Sequence, residues 1–194
     1  MLKTAFLTAV TLAIAIGGGA GSVWLALDRN FGLDVITVGE WTAFPERGTP
    51  SADPYSKARF SREADLALGR AEGVTFTARV DADGNLLRRD CDYTIRGSFP
   101  AARFWTLFAR DSEGVLIVPG NGRAAALHSY AMLRDGDNTI STTVSRQAAP
   151  GNWLALAGDG TFHLVLTFYD TATASGARIG DIQLPAITRV SCDG

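Results

Sequence analysis

The sequence predicts an all-β fold, mainly an antiparallel β-sandwich of jelly-roll character, with an N-terminal transmembrane helix and one short helix before the sandwich. Three observations predict it. The first residues form a long uncharged apolar run, the pattern switches to a period of two at Gly73, and turn signals then recur between short runs with no helical pattern among them. The boundaries drawn on this basis are 1–27 for the anchor or signal segment, 28–72 for a linker with a short helix, and 73–194 for the sandwich.

Composition limits the rest. The chain has 194 residues, of which 46% are hydrophobic and 20% charged, the make-up of a folded globular domain. Its net charge is −2, from 18 basic and 20 acidic residues mixed along the chain. That balance lacks the basic stripe of a nucleic-acid binder, so nucleic acid is not expected as a partner.

After Lys3 no charge occurs before Asp28, and Thr4 to Leu27 supplies the ~20 apolar residues that a spanning helix needs. A cleaved signal peptide would use Lys3, the apolar Ala5–Ile16 and a small-residue site such as that after Ala20. A retained anchor better accounts for the apolar Val23-Trp24-Leu25-Ala26-Leu27 that follows. Both readings export the body. With Lys3 inside, the expected location is a bacterial inner membrane, single-pass, with the C-terminal domain in the periplasm. Gly17 and Gly21 also form a G-x-x-x-G pair, a spacing that lets two membrane helices approach as a homodimer; small residues near a cleavage site or a helix interruption are the simpler explanation of so short a pattern.

In an exported chain the only two cysteines, Cys91 and Cys192, are expected to form a disulfide that staples the C-terminal end to an early strand. Between the anchor and Gly73, Val35-Ile36-Thr37-Val38 reads as a short apolar piece in a linker. Asp53-Pro54-Tyr55 reads as a capped helix start, running to about Leu68 before Gly69.

From Gly73, Val74, Phe76, Ala78 and Val80 alternate with polar residues, and Asp83-Gly84 supplies a hairpin turn. Centring the turn there sets Phe76 opposite Cys91 and Val74 opposite Tyr93, with apolar residues on one face. Further strands are expected at Phe104–Arg110, Val115–Val118, Ala125–Leu133, Asn138–Ser145, Thr161–Tyr169 and Ala186–Cys192, each bounded by Gly, Pro, Asp or Asn.

Chemistry-bearing motifs are few. No G-x-S-x-G, H-E-x-x-H or P-loop pattern occurs, so no catalytic residue, cofactor or metal is assigned. Asp81-Ala82-Asp83-Gly84-Asn85 resembles part of a calcium loop, but Leu86 stands where such a loop requires glycine, and the hairpin explains the same residues. By alternation His163 shares a face with Val165, Thr167 and Tyr169, a polar sheet face that could line a ligand site. His128, among small apolar residues, is expected to be a hydrogen-bonded structural histidine. Trp41, Trp105 and Trp153 could stack on a sugar or other flat ligand, although core packing is the simpler role for large rings. The candidate ligand-binding residues are therefore His163, Tyr169, Trp105 and Trp153.

The C-terminal half also carries a resemblance. Phe104-Trp105-Thr106-Leu107, Asp111-x-x-Gly114, Gly151-Asn152-Trp153-Leu154, Phe162-x-Leu164-x-Leu166-x-x-Tyr169 and Leu184-Pro185, in this order, are similar to the bacterial domain of unknown function 1214, often found C-terminal to domain 1254. The resemblance implies a sandwich or jelly-roll-like fold over roughly residues 73–192 and transfers no catalytic residue; the 1254 partner is not expected here, because too few residues precede Gly73. The expected role is a non-catalytic envelope module that binds a partner protein or envelope component. A sugar- or lipid-binding protein, or a hydrolase assembled only in the fold, are the alternatives.

Overall fold

A computed structural model describes residues 2–28, 35–46, 49–50, 52–54, 57–58, 61, 68, 72–120, 122–171 and 182–192. The first element is a helix, α1 (Leu2–Asp28), of which Leu2–Leu25 is long and apolar enough to cross a membrane. Its 27 residues span ~40 Å at 1.5 Å per residue. Large apolar side chains stay exposed along it, from Phe6 at 67% to Trp24 at 61%. An exposed apolar helix of this length fits a membrane anchor and a signal segment alike.

Among the described residues ten strands follow: β1 (Ile36–Val38), β2 (Trp41–Ala43), β3 (Gly73–Ala78), β4 (Cys91–Gly97), β5 (Phe104–Asp111), β6 (Ala126–His128), β7 (Ile140–Ser145), β8 (Asn152–Ala155), β9 (Phe162–Tyr169) and β10 (Ala186–Cys192). They form a six-stranded sheet, in the order β1-β2-β3-β9-β5-β6, and a four-stranded sheet, in the order β10-β4-β7-β8. All pairings are antiparallel except β7 with β8. Alternate residues of each strand point into the space between the sheets. Phe76, Leu107, Leu164 and Leu166 come from one sheet, and Tyr93, Ile95, Val144, Leu154 and Ile187 from the other; all nine are fully buried.

The β3–β4 hairpin expected from the sequence does not form. The turn is present: Asp81 Oδ1 accepts from the Asp83 and Asn85 amides, and Gly84 takes φ +80°. Val80 then bridges Leu86, but the strands diverge into different sheets. Both edges of β3 are occupied, by β2 and β9, and both edges of β4 by β10 and β7. Phe76, Val74, Cys91 and Tyr93 do share one core, with their faces opposed across the sandwich instead of side by side. The same turn accounts for the calcium-like loop. Asp81 is 1% exposed, and its second carboxylate oxygen lies 2.9 Å from the Arg189 guanidinium.

Other expected elements are modified. Val115–Val118 is not a strand; Leu116 makes one bridge to Arg110, and only Ile117 reaches the core, while Val115 and Val118 are 60% and 65% exposed. The run expected at 125–133 shortens to β6 followed by a 3-10 turn at Ser129–Ala131. In the stretch read as a linker, β1 and β2 form a hairpin around Gly39 (φ +57°) that extends the larger sheet. There the Trp41 ring is fully buried, and its indole N–H donates to the Pro185 carbonyl at 2.8 Å. The helix expected from Asp53 to about Leu68 lies mostly outside the described residues. Pro54, Lys57, Ala58 and Ser61 do have helical backbone.

Candidate functional site

The C-terminal strand is stapled to β4, as the cysteine count suggested. Cys91 and Cys192 sit directly opposite each other where β4 pairs β10, and they form a disulfide. This bond leaves no free thiol.

The outer face of the six-stranded sheet is the candidate site. Three neighbouring strands, β3, β9 and β5, present their outward residues there, and the middle one is covered more than an open sheet face would be. Val165 and Thr167 on β9 point away from the core yet are only 3% and 5% exposed. They lie on the floor of a groove of about 360 Å³ with Thr75 and Thr77 of β3 and Phe108 and Arg110 of β5. Phe44 and Leu116 contribute to its lining. The Thr75 and Thr167 hydroxyls are 3.2 Å apart, so one donates to the other, and the second hydroxyl proton is left for a ligand or solvent.

At one end of this face stands His163. Its cross-strand neighbour on β5 is Arg110, and on the other side Arg79 follows Ala78, which pairs Leu164. Burial first, then the positive charges of Arg79 and Arg110, lower the imidazole pKa from 6.5 to about 4, with Asp111 opposing. The ring is therefore neutral at neutral pH. Arginines, not a carboxylate that would orient it as a general base, dominate its surroundings.

A pH dependence follows with a definite sign. Above 6.5 both folded and unfolded chains hold the neutral ring. As the pH falls from 6.5 toward 4, the unfolded chain takes up a proton that the folded chain refuses, so stability drops. Unfolding free energies measured between pH 7 and 4 should fall more steeply for the wild type than for His163→Gln. Parallel curves would show that His163 is not the group responsible.

At the other end is a group of aromatic rings. Tyr169 pairs Phe104 across β9 and β5, with ring centroids 5.7 Å apart. Phe104 also meets His128 at 5.9 Å and Tyr130 at 5.4 Å. His128 is thus exposed against an aromatic ring, not an enclosed, hydrogen-bonded residue as expected; the small residues around it face solvent on the short edge strand β6.

Of the four candidates from the sequence, His163 and Tyr169 do share this face. Trp105 points the other way, into the core, 2% exposed and stacked on Phe99 at 4.4 Å. Trp153 lies on β8 in the second sheet, its indole N–H donating to Ser145, with the Arg123 guanidinium 4.9 Å from its ring. The preceding residues explain why this tryptophan is placed so firmly. Gly151 takes φ +79°, and Asn152 both accepts from the Leu133 amide and donates to the Leu133 and Ser141 carbonyls. Together they fix the tight return that lets β8 run parallel to β7. Gly151-Asn152-Trp153 is accordingly a structural signature in this chain.

Phe104, Phe108 and Arg110 are not among the candidate ligand-binding residues read from the sequence, although a signal for them exists. They alternate with Trp105, Leu107 and Ala109, which are buried, so they had to face outward.

A family model described as a protein of unknown function (DUF1214) matches residues 72–173, just over half of the chain. The chain belongs to the DUF1214 family. That segment starts one residue before β3 and runs just past β9, so it carries the groove strands, while β10, β1 and β2 lie outside it. Among solved structures, the VPA0106 protein from Vibrio parahaemolyticus is similar with a TM-score of 0.61 and 16% identity, over 92% of this chain and 44% of that one. An uncharacterised protein from Burkholderia cenocepacia is similar with a TM-score of 0.46 and 13% identity, over 96% of this chain and 52% of that one. The DUF1214 chain thus spans about half the length, or less, of these proteins, and the first likeness supports the fold alone. No curated protein matches the sequence.

Proposed function

We propose that this DUF1214 chain is a single-pass, inner-membrane-anchored module that holds its β-sandwich in the periplasm and binds an envelope component, without catalysing its turnover. The groove on the outer face of the six-stranded sheet carries the binding reading. It is a concavity of about 360 Å³ with both apolar and hydrogen-bonding groups, its floor set on β3, β9 and β5 and part of its rim on Phe44, Pro45 and Leu116. Concavity favours a small or slender ligand over a flat protein partner.

The address rests on α1 and on charge. Leu2–Leu25 has the length and composition of a span, and Lys3 at its start favours an inside N-terminus, which leaves the sandwich outside. The Cys91–Cys192 bond suits an oxidising compartment.

The test is mass spectrometry of the full-length protein gently extracted from bacterial membranes, together with protease treatment of spheroplasts. A denatured mass matching the whole chain less two protons, and a sandwich cut by protease added from outside, are expected. Extra native mass from a bound small molecule is expected as well. A mass lacking residues 1–20, or protection of the sandwich, would remove the anchored, periplasm-facing reading. A protein that carries no added mass under any extraction condition, and that co-purifies only with another protein, would remove the groove as the ligand site.

A further inference from the structure

We infer that the groove and the adjoining aromatic cluster form one continuous binding surface for an acidic oligosaccharide, a chain of sugar rings bearing carboxylates. The inference rests on the binding-module reading above and specifies its ligand.

The aromatic end supplies the first argument. Phe104, His128, Tyr130 and Tyr169 come from β5, β6, the 3-10 turn and β9, and all meet around Phe104. Tyr130 is 76% exposed yet not loose, because its hydroxyl donates to the Arg103 carbonyl at 3.2 Å. A held aromatic ring in water contributes no core packing. It is, however, suited to stack against the C–H face of a sugar, and it has little conformational entropy to lose on binding.

Floor chemistry supplies the second. Tyr169 lines both the aromatic cluster and the groove, so the two are contiguous. Beyond it the floor carries Thr75, Thr77 and Thr167, hydroxyls that donate or accept as a sugar hydroxyl requires. An acyl chain would gain nothing from this row of hydroxyls and would strip water from the hydroxyl proton that the Thr75–Thr167 bond does not use, at a cost.

Charge and length supply the third. At the far end positive charge outweighs negative: Arg110 lines the groove, and Arg79 and Arg110 flank His163 with Asp111 opposing them. Guanidinium groups pair well with carboxylates. From Tyr169 to His163 is six residues along β9, roughly 20 Å at ~3.3 Å per residue, which suits an extended oligomer better than a single ring.

Titration calorimetry of the full-length chain in nanodiscs decides it, with three probes: hexagalacturonate (carboxylated), cellohexaose (uncharged) and oleate. Hexagalacturonate is expected to bind roughly tenfold or more tightly than cellohexaose. Tyr130→Ala, at an exposed position that should fold normally, is expected to weaken both sugars by about tenfold. Arg110→Gln should close most of the gap between the two sugars. Equal binding of the two hexamers, unaltered affinity in Tyr130→Ala, or binding of oleate alone would each overturn the assignment. Should neither sugar bind while the membrane-extracted protein still carries a small-molecule mass, the ligand class fails and the binding-module reading survives.

Discussion

Cys192→Ala is expected to lower the unfolding free energy by about 4–5 kcal/mol. In the chain-entropy treatment a cross-link stabilises by restricting the unfolded chain, and the effect grows with the loop it closes. Here the two cysteines are 101 residues apart, which places the loop near the top of the usual range. Cys192 is the better end to change because its side chain is exposed, whereas Cys91 is buried in the core. Truncating Cys91 would mix loss of the cross-link with loss of packing. A chain of this size moves by ~2–4 °C per kcal/mol, so the midpoint should fall by roughly 10–20 °C. Denaturant and thermal unfolding of the variant, beside the wild type with and without reductant, measure the effect. A loss below about 1 kcal/mol would mean that β10 is held on β4 by its backbone pairing and Ile187 alone, with the bond contributing little.

The second large effect is expected at Trp41. Trp41→Ala should cost about 3–5 kcal/mol, the range for deleting a fully buried aromatic side chain. Trp41→Phe retains most of the packing but removes the N–H that the Pro185 carbonyl accepts, and should cost about 1–2 kcal/mol. The difference between the two variants separates packing from the hydrogen bond. Trp41 lies outside residues 72–173, in the stretch whose breakers read as linker. If both variants unfold at the wild-type denaturant midpoint, the β1–β2 hairpin is an appendage and the sandwich begins at β3. A large loss in Trp41→Ala makes the hairpin part of the cooperative unit, and truncations that start at residue 73 should then fold poorly.

These expectations show what the sequence by itself determined. Period-two alternation assigned faces correctly: Phe76 and Tyr93 inward, His163 and Tyr169 outward, because side-chain direction along a strand is a local property. Local turn chemistry placed Asp83-Gly84, and residue counting paired Cys91 with Cys192. An apolar run without charge marked α1. Tertiary structure alone decided which edges pair. Each strand has two edges and the turn at Gly84 fixes neither, so β3 took β2 and β9, while β4 crossed to the other sheet. The same long-range pairing assembled the candidate site. Phe104 meets Tyr169 because β9 lies beside β5, and the groove exists because β3 lies on its other side. Those neighbours are chosen by how the whole apolar surface is best buried, a quantity summed over all strands that no single stretch of sequence contains.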